Sequence, residues 1–220
     1  MKLAVFGCSW SYGTIQHQNV NQSEPNWVRS LARLRPDISV TNFSHSGTNL
    51  QFSAYLFEQF AQDFDYTVFQ ITGSSRLCFW PDQFDFEKHM IKFDNNLLQF
   101  DDLDPYIFST NASAIADPEK KSYIFKAKTP DEIDFAHKYF KYMPLEILEL
   151  EYQSIISKIH SKANLMFWHH GLEHHRSDIL SINQILGNEQ YHKYIKDSGL
   201  HFGQDGCEWQ ANYINEKYLK

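Results

Sequence analysis

The chain has 220 residues and a formal net charge of −7, with 42% hydrophobic and 16% aromatic residues, so it can bury one sizeable core and is not intrinsically disordered. Lys and Arg (20) are scattered and fewer than Asp and Glu (27), which argues against a nucleic-acid footprint or a membrane-surface helix and leaves small molecules or neutral polymers as partners. The cysteines Cys8, Cys78 and Cys207 form no CxxC pair, the apolar start is too short for a secretory signal, and no run approaches the roughly 20 residues that cross a bilayer, so the expectation is a soluble, cytoplasmic protein.

Residues 3–6 are a continuous apolar run closed by Gly7, the pattern of a strand buried on both faces. Pro25 suits a first helical position, and Trp27, Val28, Leu31 and Leu34 follow at helical spacing, so a helix is predicted from Pro25 to about Leu34, ended by Pro36-Asp37. Residues 38–43 predict a second strand, 49–62 a helix with a broad apolar face, and 66–72 a third strand. This alternation implies a parallel sheet with right-handed crossovers, which gathers ligands at the carboxyl ends of its strands.

From about 79 to 128 the periodicity breaks down, and the segment reads as an insertion over that edge of the sheet. Its aromatics, Phe84, Phe86, Phe93, Phe100, Tyr106 and Phe108, would either wall a pocket or form a satellite cluster. Thr129-Pro130-Asp131-Glu132 has the form of a helix start, and the helical pattern reaches Ile159 with a break at Pro144. The aromatics of that stretch, Phe135, Tyr139, Phe140, Tyr142 and Tyr152, read as core. Residues 163–168 predict a fourth strand, 188–196 a short helix and 205–219 a closing helix. With no internal repeat and no low-complexity linker, residues 1–220 form one expected domain.

Gly7-Cys8-Ser9-Trp10-Ser11-Tyr12-Gly13 sits on the turn after the first strand, a position that lifts a side chain to the top of the sheet. A serine hydroxyl is a weak nucleophile until a base takes its proton, so Ser9 needs a histidine, an orienting carboxylate and donors for an oxyanion. Asp197-Ser198-Gly199-Leu200-His201 offers the base and its acid in the chain order Ser, Asp, His. Cys8 is a competing nucleophile or a small core residue. A rival constellation is His169 to His175, which contains the His-x-x-Glu-His spacing of a zinc hydrolase, but it leaves a strand, includes Gly171 and lacks a third ligand. Lining of the pocket by one of these histidines is the favoured reading, and no metal is assigned. With no dinucleotide fingerprint and no phosphate-binding Lys loop, no cofactor is expected.

The blocks taken together resemble the SGNH/GDSL hydrolases, over most of the chain apart from the insertion, and GCSWSYG is similar to the GCSFTYG opening of a branch found in environmental bacteria and phages. Trp27 matches a Trp that this branch has ahead of its first helix. The resemblance implies a three-layer α/β fold with a flavodoxin-like parallel sheet, and a serine esterase acting on small-molecule or saccharide esters, including O-acetyl groups. It implies Ser9 as nucleophile and oxyanion donor, and Gly47, in Ser46-Gly47-Thr48-Asn49, as a second donor. A Gly-containing turn at a helix start also presents free N–H groups to an anion, although the same turn reads as an ordinary one capped by Thr48 or Asn49.

Two blocks depart from the family. Where it has Gly-x-Asn-Asp this chain has Gly73-Ser74-Ser75-Arg76, so Ser75 replaces the third oxyanion donor and Asn49 or Arg76 is left to compensate. Arg76 would alternatively hold an anionic substrate group or pair with an acid of the insertion. Asp197 lies one residue further from His201 than the family pattern. These departures keep a non-catalytic ligand-binding protein on the same scaffold as the alternative.

Overall fold

The computed structural model describes residues 1–12, 25–45, 48–72, 90–94, 96–100, 145–169, 176, 178–196 and 201–220, with single positions between 130 and 142. Strand β1 is Lys2–Phe6, β2 Ser39–Asn42, β3 Tyr66–Ile71, β4 Met90–Asp94, β5 Leu97–Phe100, β6 Leu165–Trp168 and β7 Leu180–Ser181. They form one sheet in the order β4-β5-β2-β1-β3-β6-β7, parallel throughout except for the β4–β5 pair at one edge. The helices are α1 (Ser9–Tyr12), α2 (Trp27–Leu34), α3 (Leu50–Phe60), α4 (Leu145–His160), α5 (Ile182–Leu186), α6 (Asn188–Tyr194) and α7 (Gln204–Tyr218).

Both faces of the sheet are covered, which is why its strands are apolar at successive positions and not at alternate ones. Ala4 and Phe6 of β1 face α3 and α4, packing with Phe52, Leu56, Phe57, Tyr152 and Ile156. Leu3 and Val5 face the other way, into Trp27, Val28 and Leu31 of α2 and Ala211 and Ile214 of α7. The result is a three-layer α/β sandwich in flavodoxin-like order. The chain leaves β1 for β2 on one side and returns past β1 to β3 on the other, so the sheet has a switch point where β1 and β3 end, the place such sheets offer to ligands.

Most predicted elements occur within a residue or two of their expected ends. Helix α2 is an exception at its start, because Asn26, not Pro25, closes it. Asn26 is extended and its carboxamide oxygen accepts from the N–H groups of Val28 (2.7 Å) and Arg29 (3.4 Å), satisfying two donors that the helix leaves open. The helix predicted from Pro130 has helical residues at its described positions, and α4 begins directly after Pro144. Tyr152 is in the core as expected, whereas Tyr142 is 70% exposed. Strand β7 and helix α5 were not anticipated, since two and five residues are too short for a periodicity to register.

The reading of residues 79–128 as a cover over the strand ends is corrected for the part that is described. Residues 90–100 form the β4–β5 hairpin, and β5 runs parallel beside β2, so this stretch widens the sheet and does not lie across it. Phe93 therefore belongs to the edge strand and Phe100 to the strand beside it. Phe84, Phe86, Tyr106 and Phe108 lie outside the described residues. Asn96 ties the hairpin to the domain: its side-chain nitrogen donates to the carbonyls of Ala32 (2.7 Å), Ile38 (3.1 Å) and Arg35 (3.2 Å) at the end of α2.

Three acceptors around one amide make Asn96 specific. Asn96→Ala is expected to cost about 1–2 kcal/mol in urea unfolding, and Asn96→Asp more, because it sets an acceptor against carbonyl oxygens. Equal stability of wild type and Asn96→Asp would refute the anchoring role.

Candidate active site

The turn after β1 is held by side chains from four other elements, β3, α2, β2 and α3. The β1–β3 register pairs Phe6 with Phe69, which puts Gly7 beside Gln70. A Cβ on Gly7 would lie 2.8 Å from Gln70 Oε1 and 3.0 Å from its Cβ, so only glycine lets the Gln70 side chain cross the turn. That carboxamide is fully buried. Its oxygen accepts from Ser11 Oγ (2.9 Å) and the Cys8 N–H (3.4 Å), and its nitrogen donates to the Ile71 carbonyl (3.2 Å) and Cys8 Sγ (3.4 Å). Ser11 Oγ in turn accepts from Trp27 Nε1 (3.0 Å), making a one-directional relay from α2 through α1 to β3.

A second set of bonds reaches the turn from β2. Asn42 donates to the Ser11 carbonyl (2.9 Å) and to Gln99 Oε1 (3.1 Å), and the same Gln99 oxygen accepts from Asn26 (3.3 Å). The Gly7 carbonyl is met by the hydroxyls of Thr48 (3.1 Å) and Ser53 (3.2 Å). Gln70, Asn42 and Gln99 are each no more than 1% exposed. Buried amides of this kind are costly unless paired, and their pairing here fixes one backbone path for residues 7–11.

On this support Ser9 is the first residue of α1 and Trp10 follows it, half-buried. Trp10 faces the other end of the chain. Its indole stacks on the His169 ring, centroids 4.8 Å apart and planes at 22°, and lies 6.4 Å from the His201 ring at 55°. His169 directly follows β6 and is 1% exposed, packed against Phe202 (4.5 Å) and Tyr191 (5.8 Å). The Ser9 turn and His201, nearly the whole sequence apart, therefore meet through one indole at the carboxyl edge of the sheet.

His201 is carried by a closed loop. Ile195 and Phe202 form an antiparallel bridge, Lys196 N–H donates to the His201 carbonyl (2.8 Å), and Gly203 N–H donates to the Tyr194 carbonyl (2.8 Å). Phe202 is buried among Tyr191, Tyr194 and His169, while its neighbour His201 remains half-buried. Helix α7 presses on this loop at Gly206, where a Cβ would come within 2.7 Å of Tyr194 Cβ and 2.8 Å of Phe202 Cγ.

Of the residues singled out from the sequence, the structure brings His201, Asn49 and the Ser9 turn to one edge. Asn49 is 2% exposed and its carboxamide oxygen caps α3 by accepting from the Phe52 N–H (2.9 Å), which is the capping reading of that turn. The side chain of Ser9, and Gly47, Ser75, Arg76 and Asp197, lie outside the described residues. Cys8 is 0% exposed with its sulfur against Gln70, so no substrate reaches it. Burial pushes the Cys207 thiol up to about 12, a second cysteine unsuited to nucleophilic work. His169 is engaged in the aromatic stack, and residues 170–175, the rest of the zinc-like cluster, are outside the described set. Among the described residues no group of three or more His, Cys, Asp or Glu side chains converges as metal ligands.

Gln70 was not anticipated as part of the site, and Ser11 and Trp10 were read only as members of the GCSWSYG segment, with no role of their own. Gln70 did carry a signal, a lone amide within the apolar run Tyr66–Ile71, because a polar side chain in a strand buried on both faces must find partners.

No family model and no curated protein matches the chain. Among solved structures it is similar to the crystal structure of the lipase/acylhydrolase from Enterococcus faecalis, at 12% identity and a TM-score of 0.42, covering 98% of this chain and 94% of that one. The strand order alone establishes the fold stated above. Among the described residues no helix is long and apolar enough to cross a membrane.

Two stability measurements test this construction. Ser11→Ala leaves the Trp27 N–H without its acceptor, and is expected to cost about 2 kcal/mol. Combined with Trp27→Phe it should cost less than the sum of the single changes, and strict additivity would show that the relay is not coupled. Gly206→Ala should lower Tm although Ala exceeds Gly in helix propensity by about 1 kcal/mol, since overpacking against Tyr194 and Phe202 costs about 1–3 kcal/mol. An increase in Tm would mean that the His201 loop yields.

Proposed function

We propose that the protein is a serine hydrolase of the SGNH/GDSL type acting on carboxylic esters, with O-acetyl groups of a saccharide as the substrate class. The observation that carries this reading is the contact of Trp10, the residue after Ser9, with His201, because it joins the nucleophile's turn to the base's loop at the switch point of the sheet. Neither segment has another evident reason to be built so rigidly. The GCSWSYG motif and the chain order Ser9, Asp197, His201 support the same reading.

In this mechanism the His201 imidazole takes the Ser9 hydroxyl proton as Oγ attacks the acyl carbon, and the carbonyl π electrons pass to oxygen. The backbone N–H groups of Ser9 and Gly47 receive that oxyanion, with Asn49, Ser75 and Arg76 on the substrate side. When the tetrahedral intermediate collapses, His201 returns the proton to the leaving alkoxide and an acyl-Ser9 ester remains. Water then attacks this ester, giving its proton to His201, and the acid leaves as Ser9 recovers its hydroxyl proton. Asp197 orients the imidazole and stabilises its charged form. Asn49 has its carboxamide oxygen committed to α3, so its contribution would come from the amide nitrogen.

Incubation with a fluorophosphonate probe and an acetyl ester tests the assignment. Wild type is expected to be labelled and to turn over the ester, Ser9→Ala to do neither, and His201→Ala to lose about 10²–10⁴ in kcat. Asn49→Asp keeps the helix cap and removes the amide donor, so it should retain stability and lose activity. A well-folded wild type that is neither labelled nor active would overturn the hydrolase and leave the ligand-binding reading, which Ser75 in the third block favours.

A further inference from the structure

We propose that Trp10 is a positioning residue that holds the His201 imidazole at the Ser9 turn, an inference that rests on the assignment of Ser9 and His201 given above. The backbone of His201 is fixed by its neighbours, through the Ile195–Phe202 bridge and the Lys196 N–H. Its ring is not fixed by those bonds. A half-buried histidine on a loop keeps more than one rotamer unless something packs against it.

Trp10 meets that need, and it is itself immobilised. One face of the indole stacks on His169 at 4.8 Å, and His169 is 1% exposed and wedged against Phe202 and Tyr191. Phe202 is the residue after His201. The contacts therefore close a circuit from Trp10 through His169 and Phe202 to His201 and back to Trp10 across 6.4 Å. An indole anchored in this way sets the separation between the α1 turn and the imidazole, because Trp10 is covalently next to Ser9 and moves with it.

The consequence for rate follows from geometry. A displacement of about 1 Å between reacting groups costs up to about 10²-fold. The charged imidazolium that forms when the Ser9 proton moves is also attracted by the indole, weakly, at most about 2-fold, because the rings are 6.4 Å apart and tilted at 55°. Neither effect requires the substrate to touch Trp10, which distinguishes positioning from a stacking platform for a sugar or acyl group.

The test uses Trp10→Phe, Trp10→Leu and Trp10→Ala in the full chain, with Trp10→Leu retaining apolar bulk in case Trp10→Ala does not fold. Steady-state kinetics on an acetyl ester should show kcat reduced about 10- to 100-fold in Trp10→Leu with KM within a factor of about two, and most of kcat restored in Trp10→Phe. A raised KM with unchanged kcat, or no change in either, would overturn the proposal. Independently of turnover, the His201 ring protons should carry a ring-current shift in NMR spectra that moves in Trp10→Leu, with His201→Ala identifying the resonance. An unmoved resonance overturns the positioning role. If wild type is inert to the fluorophosphonate and the ester, the hydrolase reading fails, and the ring-current shift alone then decides whether Trp10 holds His201.

Discussion

The buried carboxamide of Gln70 is the interaction on which the rest of this site depends. It lies on β3, next to the central strand β1, and apart from its bond to the Ile71 carbonyl it spends its hydrogen bonds on the turn that leaves β1: the Cys8 N–H, the Cys8 sulfur and the Ser11 hydroxyl. Gly7 is what permits it, since any side chain there would occupy the space of the Gln70 carboxamide. The Trp27 indole then fixes the Ser11 hydroxyl from the opposite side. A turn at the edge of a sheet would ordinarily be among the less stable parts of a fold. Here its conformation is determined by groups that are almost fully buried, and moving it would leave several of them unpaired at once.

The second support is apolar, and it acts from the other end of the chain. Phe202, Tyr191, Tyr194 and His169 form an aromatic cluster under the loop that presents His201, and α7 closes on them at Gly206. Hydrogen bonds thus define the path of the α1 turn, while ring packing and a close backbone approach define the path of the His201 loop. The division suits the two jobs. In the proposed hydrolase the turn would have backbone N–H groups to orient, which needs directional partners, whereas the loop would have one ring to hold in place, which close packing accomplishes.

Most of the fold was legible in the sequence because a parallel sheet covered on both faces writes itself as apolar runs separated by amphipathic helices. Residues 3–6, 66–71 and 165–168 are such runs, and the motif after the first of them marked the candidate site. The hairpin at 90–100 was not legible: its strands have five and four residues, and as an edge pair they lack the apolar continuity of the central strands. The start of α2 was misplaced by two residues because Pro25 is an acceptable first helical residue, but Asn26 supplies a hydrogen-bonding cap and Pro25 cannot. The site itself was half legible. Ser9 and His201 stand in recognisable surroundings, whereas Gln70 and Trp10 act through contacts between segments far apart in sequence, which no local pattern records.

The two histidines flanking Trp10 show how environment divides one residue type between two roles. His169 is 1% exposed, stacked on the indole and packed at a tilt against Phe202, so its ring serves as a packing surface. A base must exchange its proton with a substrate and later with solvent, and a ring almost wholly buried is badly placed to do so. His201 is half-buried, with Trp10 nearby, and its carbonyl accepts from the Lys196 N–H. It has the access that His169 lacks together with the fixed backbone that an isolated surface histidine lacks. Of the two histidines that flank Trp10, the one at 201 therefore has the surroundings that the proposed proton transfer needs.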